Sequence, residues 1–213
     1  MAYLCLWRHI FRIILFSFFM SKKYLHIALL ILPIYGCSST TNEPCVPMKT
    51  TGLIIPLALG NQWIYRVTGF DDRGNVYPNP TLDTFTLSKD TIIKGEQWFF
   101  YDGGDIVINR SDGLYTNNGD SLPLLFYKYP ANTGDTNFFP HGNSISVVSN
   151  DTIVSVPYGC FSTYQYTHEP FYAAPLDIFI APGVGEVRTE YWTGISSKPY
   201  KYRQRELVSV VLH

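Results

Sequence analysis

The feature that most constrains the fold of this chain is a series of short segments in which apolar and polar residues alternate. Residues 63–68 place Trp63, Tyr65 and Val67 at every second position, and residues 84–89 alternate in the same way. A period of two indicates a β-strand that buries one face. No segment has a sustained apolar stripe at the 3.6-residue spacing of an amphipathic helix.

Turn-forming residues separate these segments at intervals of about 8–12 residues, which is typical of antiparallel sheets. We therefore predict an all-β body, an antiparallel meander that forms a curved sheet, a half-barrel or a sandwich. Residues 144–149 and 151–156 are predicted to form a hairpin that turns at Asn150. The other predicted strands are residues 97–101, 106–109, 124–129, 160–166, 177–181, 186–192 and 200–212.

The first 36 residues have the composition of an export signal. They contain the basic pair Lys22-Lys23 and then an apolar stretch over residues 24–33, which is too short for a bilayer that needs about 20 residues. Met20 opens a complete signal of its own, so an alternative start lies there. A transmembrane helix over residues 4–19 is disfavoured because it would bury charged arginines in lipid.

The residues that end this segment, Ile34-Tyr35-Gly36-Cys37, resemble the lipobox of bacterial lipoproteins. The resemblance implies that the Cys37 thiol is diacylated and that the chain is cut before it. Ile34 replaces the usual leucine, and Tyr35 is bulkier than is common there. The predicted organisation is a signal peptide over residues 1–36, a lipidated tether over 37–55 and a single β domain over 56–213.

The net charge limits the partners that this chain can bind, and its cysteines bear on the compartment in which it folds. All 17 acidic residues follow Cys37 and four of the 16 basic residues precede it, so residues 37–213 carry a net charge of −5. This charge argues against a nucleic-acid partner. In an oxidising compartment, Cys45 and Cys160 could form a disulfide or remain two unpaired thiols. They lack the paired spacing of a zinc site, and no cofactor is expected.

Several phrases in the predicted domain resemble a group of uncharacterised outer-membrane lipoproteins of Bacteroidetes. They are residues 56–65 (PLALGNQWIY), 128–131 (KYPA), 156–161 (VPYGCF) and 181–185 (APGVG). The chain departs from that group at Tyr158 and Cys160, where Ala and Thr are usual. The Gly-Val-Gly phrase is also similar to periplasmic half-barrels of the Lol carrier type, which implies an alternative role as carrier of an apolar ligand or a lipoprotein.

Three short Asp-Thr or Asp-Ser phrases resemble the O-glycosylation motif of exported Bacteroidetes proteins. Their hydroxyl residues are Thr91, Ser121 and Thr152. A motif of three residues matches easily by chance, and Asp-Thr also often opens a strand.

No set of residues predicts catalysis or a metal site. Pro170 and Tyr172 exclude a helical zinc motif at His168, which we expect to be an exposed loop residue. Lys201, Arg203 and Arg205 share one face of the last strand, predicted to be solvated, with contact to anionic lipid or glycan as the alternative. The surplus aromatic residues are expected mainly in the core.

The sequence therefore predicts a non-catalytic binding or structural module, held on the outer membrane through Cys37 and facing the periplasm. An unidentified hydrolase is the enzyme alternative. An apolar ligand, a glycan or an envelope protein could be its partner, and its oligomeric state is left open.

Overall fold

Thirteen antiparallel β-strands form the part of the chain that the structure, a computed structural model, describes: residues 45–48, 52–101, 104–117, 122–170, 174–193 and 198–213. No α-helix occurs within these ranges, so the all-β prediction is confirmed. The predicted signal peptide and Cys37 lie outside the described residues. The strands are β1 (Gln62–Gly69), β2 (Thr81–Thr86), β3 (Asp90–Ile93), β4 (Glu96–Phe100), β5 (Ile106–Arg110), β6 (Gly113–Asn117), β7 (Leu124–Lys128), β8 (Thr136–Phe138), β9 (Ser144–Val156), β10 (Gly159–Glu169), β11 (Leu176–Ala181), β12 (Gly185–Trp192) and β13 (Lys201–Val211).

The strands form two sheets. An eight-stranded sheet has the order β2-β1-β13-β12-β11-β10-β9-β8, and a five-stranded meander has the order β3-β4-β5-β6-β7. The eight-stranded sheet is not closed into a barrel. The tip of the β9–β10 hairpin nevertheless reaches across it, because the backbone N–H of Tyr158 donates to the C=O of Leu207 in β13.

The predicted hairpin at Asn150 is wrong, because residues 144–156 form one continuous strand. The buried side chains switch from odd positions, Ile145 and Val147, to even positions, Val154 and Val156. The register between β9 and β10 shifts in the same region, which indicates a β-bulge. A bulge resets the alternation without reversing the chain, so the sequence pattern resembled that of two strands around a turn.

The turn into β6 requires a glycine. Gly113 has a φ of 145°, and a Cβ there would collide with the backbone oxygen of Tyr127 in the adjacent strand. A residue without a side chain lets β6 and β7 approach closely at this point.

Both sheets contribute to one hydrophobic core. Trp63, Tyr166 and Leu207 from the larger sheet are almost completely buried, as is Leu114 from the smaller one. Aromatic rings meet between the sheets, with the centroids of Tyr127 and Tyr166 4.9 Å apart. The expectation that most aromatic residues fill the core therefore matches their burial.

Some described residues before position 56 pack on the body. Ile54 and Ile55 are buried in the core. Met48 pairs with Phe161 in a short parallel bridge, and its N–H donates to the C=O of Cys160 at 2.8 Å. Part of the predicted tether is thus attached to the body.

Candidate functional site

A cleft of about 340 Å³ opens at one end of the body, between the two sheets. Strands β6 and β7 line one side. The other side is lined by β10 and by the short 3₁₀ turn Pro140–Gly142, which links β8 to β9. This volume lies at the lower end of the range of about 300–1,000 Å³ that is usual for small-molecule sites.

The apolar wall of the cleft is aromatic. Phe126 in β7 and Phe139 after β8 meet edge to face, with ring centroids 6.1 Å apart and planes at 70°. Leu124 adds an aliphatic side chain beside them. Both rings are half-buried, so they offer apolar surface to a ligand while resting on the core.

The polar side of the cleft contains a hydroxyl with no hydrogen-bond partner. Thr116 in β6 is only 8% exposed, and its Oγ1 atom has no partner among the described residues. Leaving a buried hydroxyl unpaired costs about 1–3 kcal/mol. A ligand with a polar group in the cleft would offset this cost.

His168 also lines the cleft, although it was expected to be an exposed loop residue. It lies in β10, where it pairs with Ile145 on one side and with Leu176 on the other, and it is half-buried. Burial lowers the pKa of the imidazole below its usual value. The ring is therefore neutral at pH 7 and can donate one hydrogen bond and accept another.

His141 stands at the rim of the cleft in an unusual backbone conformation. Its φ of 66° is left-handed, which costs about 1–3 kcal/mol for a residue with a side chain. The neighbouring backbone maintains the turn, since the N–H of Phe139 donates to the C=O of Asn143 at 2.9 Å. Such strain occurs often at ligand sites.

The charge of the cleft limits its ligands. Asp105 is the only acidic residue in the described lining, which contains no lysine or arginine. The cleft therefore disfavours anions and suits an uncharged or cationic molecule. Within the described ranges, no three His, Cys, Asp or Glu side chains come together as metal ligands.

The structure brings together the two predicted disulfide cysteines, whereas the described O-glycosylation sites lie on different sheets. Cys45 and Cys160 form a disulfide with a Cα–Cα distance of 5.9 Å. Thr91 lies half-buried in β3, and Thr152 lies half-buried in β9 of the other sheet, so the structure does not bring them together. Cys37 and Ser121 lie outside the described residues.

The predicted solvated face of β13 is wrong for Arg205, whose side chain is only 18% exposed. Its guanidinium pairs with Glu186 at 2.7 Å and lies 4.7 Å from the ring centre of buried Tyr65. The Thr189 hydroxyl also donates to Glu186. The negative charge of Glu186 raises the pKa of Arg205 further, and burial raises the pKa of Tyr65. This paired cluster belongs to the core.

The phrases on which the predicted resemblance to lipoproteins rests have structural roles. The Trp63 indole donates to the C=O of Val184 at 2.7 Å, and a Cβ at Gly185 would press against that indole. The Tyr166 hydroxyl donates to the C=O of Lys128 at 2.7 Å. These phrases therefore join distant strands and do not line the cleft.

No family model matches the chain, and no curated protein matches it. Two solved structures do. One is a predicted exported protein with a YmcC-like fold from Bacteroides fragilis, at 14% identity and a TM-score of 0.44, over 76% of this chain and 100% of its own. The other is a predicted lipoprotein from Parabacteroides distasonis, at 9% identity and a TM-score of 0.39, over 75% of this chain and 99% of its own. Likenesses this distant assign no role to the chain.

Sequence reasoning did not predict the cleft. Its residues come from β6, β7, β10 and two connections, and no local motif joins them. The only available signal was His168, whose alternation with Tyr166 and Tyr164 could have placed it on a strand.

Proposed function

We propose that this chain is a bacterial lipoprotein, anchored to the outer membrane through lipid on Cys37 and facing the periplasm. We further propose that its β body binds a small molecule in the cleft and does not transform it. The observation that carries the binding role is the cleft itself, whose lining includes Thr116, with a buried and unpartnered hydroxyl, and the neutral His168.

The anchor is supported by the signal and lipobox pattern before Cys37. Two or more acyl chains anchor a protein stably, because each buried methylene contributes about 0.8 kcal/mol. In the described part of the chain, no helix is both long and apolar enough to span a bilayer.

The chemistry of the cleft supports an uncharged or cationic ligand with one apolar face. Phe126 and Phe139 would pack against that face, while Thr116 and His168 would bind its polar groups. The three apolar side chains also suit an alkyl chain, which supports a carrier role as the second candidate.

The anchor is tested in cells by Cys37→Ala, with Ser39→Ala as the matched control. We expect the alanine at 37 to block lipidation and to release the protein from the membrane fraction or leave it unprocessed. The control should behave like the wild type. Unchanged processing and fractionation of Cys37→Ala would refute the anchor.

The binding role is tested by native mass spectrometry of the protein extracted from its own envelope. We expect a non-covalent adduct on the wild type that is lost from Thr116→Val and His168→Phe. An adduct with the mass of a fatty acid or phospholipid would favour the carrier. An adduct that persists in both variants, or none on the wild type, would contradict binding in the cleft.

A further inference from the structure

The exposed apolar residues nearest the tether form a small surface at the tip of the β9–β10 hairpin. We define the tether-side face as Val46, Met48, Pro157 and Tyr158. Val46 is 80% exposed, and Met48 and Tyr158 are both more than 40% exposed. Pro157 is exposed beside them.

Covalent and backbone contacts hold this face together. The disulfide joins Cys45 to Cys160, and the methyl group of Met48 lies against Gly159. The ring of Tyr158 stacks on Phe161, with centroids 6.0 Å apart and planes at 13°. The face is therefore a fixed feature of the body.

The length of the tether keeps this face near the lipid anchor. Seven residues separate Cys37 from Cys45, and these eight residue steps span at most about 28 Å when fully extended. The residues after Cys45 cannot detach from the body and lengthen the tether, because the disulfide bonds Cys45 to Cys160 in the hairpin. This end of the body consequently stays within a short distance of the bilayer.

The chemistry of the face fits a lipid surface. Tyrosine is enriched at membrane interfaces because its ring is apolar and its hydroxyl is polar. No acidic residue occurs between Thr152 and His168. Arg66 and Arg188 both pair with Glu206, and Arg188 also donates to the C=O of Ser155, so a net positive charge borders the hairpin.

The cleft lies at the other end of the same hairpin. His168 pairs with Ile145, and Phe138 pairs with Ser144, whereas Cys160 pairs with Ser155 near the tip. Ser144 and Val156, the two ends of β9, are twelve residue steps apart, which amounts to about 40 Å along the strand at about 3.3 Å per residue.

We propose that the tether-side face rests on the bilayer surface, so that the cleft opens away from the membrane. This inference rests on the proposed anchoring at Cys37. The lipid surface stabilises one orientation of the body, and a ligand reaches the cleft from the aqueous side.

The chain offers a single natural probe for this orientation. Met1, Met20 and Met48 are the three methionines, so Met48 is the only one left after cleavage before Cys37. The experiment labels the methionine methyl groups with ¹³C and places the mature lipoprotein in nanodiscs of phosphatidylethanolamine and phosphatidylglycerol that contain spin-labelled headgroups. Phe138→Met adds a control methyl group at the cleft end, where Phe138 is 82% exposed.

We expect the Met48 methyl signal to be lost through paramagnetic broadening, while the signal of the methyl group at 138 persists. The double variant Val46→Asp, Tyr158→Asp should restore the Met48 signal, whereas Ile92→Asp, an exposed position in the other sheet, should not. Equal broadening of both methyl groups, or stronger broadening at 138, would overturn the orientation.

A second sample separates this inference from the proposed anchor. Unlipidated protein beginning at Cys37 is coupled through that thiol to a maleimide lipid, which leaves the Cys45–Cys160 disulfide intact. If the natural protein carries no lipid but the Met48 methyl signal is selectively broadened in the coupled sample, the proposed anchor is refuted. The proposed contact between the tether-side face and the bilayer is then supported. If the natural protein is lipidated and neither sample broadens Met48 selectively, only the orientation fails.

Discussion

Removal of the Cys45–Cys160 disulfide should destabilise the body strongly. The bond joins residues 115 positions apart, so it closes a loop over residues 45–160 in the unfolded state and leaves residues 161–213 outside that loop. The chain-entropy relation gives about 5 kcal/mol at 25 °C for a loop of this length. Because typical domains are stable by only about 5–15 kcal/mol, this loss is a large fraction of the total.

The assay is urea unfolding of the lipid-free body in a Cys37→Ser background, with and without Cys45→Ala and Cys160→Ala together. With a slope of about 2 kcal/mol per molar urea, a loss of about 5 kcal/mol lowers the midpoint by about 2.5 M. Val46→Ala is the matched control, because an exposed side chain beside the bond should change stability by no more than about 0.5 kcal/mol. A double variant that unfolds within about 1 kcal/mol of the parent would refute the reasoning.

Three further predictions concern the core and the cleft. Glu186→Gln should cost about 1.5–3 kcal/mol in urea unfolding, because it removes the nearer carboxylate of Arg205 and leaves only Asp83, at 3.7 Å, as a charged partner. Arg66→Met removes a more exposed cation and should cost about 1 kcal/mol or less. Equal costs would contradict the burial of the Arg205 pair. Thr116→Val should leave the stability of the ligand-free body unchanged or raise it by about 1 kcal/mol, since it removes an unpaired buried hydroxyl; a clear loss in thermal unfolding would mean that this hydroxyl has a partner. The lowered pKa of His168 means that its imidazole binds a proton more tightly in the unfolded chain than in the folded body. The stability that the neutral ring contributes is therefore present above pH 6.5 and is lost as the pH falls through the folded pKa. Urea unfolding at pH 7.5 and 5.5 should show a smaller loss of stability in His168→Gln than in the wild type, and an equal loss would contradict this.

Local patterns predicted the strands because alternation depends on neighbouring residues. Residues 63–68 were placed close to β1 because apolar and polar residues alternate there. Residues 177–181 and 186–192 were placed close to β11 and β12 because the turn residues Pro182 and Gly183 lie between them. The bulge in β9 was misread as a turn because a shift in alternation and a chain reversal produce similar patterns.

Charged residues on strands were harder to place than apolar ones. Arg205 lies two residues from Leu207 on the same strand, so the two side chains are on one face of the sheet. Because Leu207 is buried in the core, the side chain of Arg205 also points into the body. The partner that makes this burial tolerable, Glu186, lies on β12 and is not identifiable from local sequence. The cleft depends on the packing of two sheets, which no single segment encodes.

The lipid anchor is the central claim, and the mass of the N-terminal peptide tests it most directly. The protein is extracted from its own membranes with detergent, digested and analysed by tandem mass spectrometry. The account predicts that the mature chain begins at Cys37 and carries a diacylglyceryl group on its sulfur. A chain that begins elsewhere, or that carries an unmodified thiol at Cys37, would contradict it.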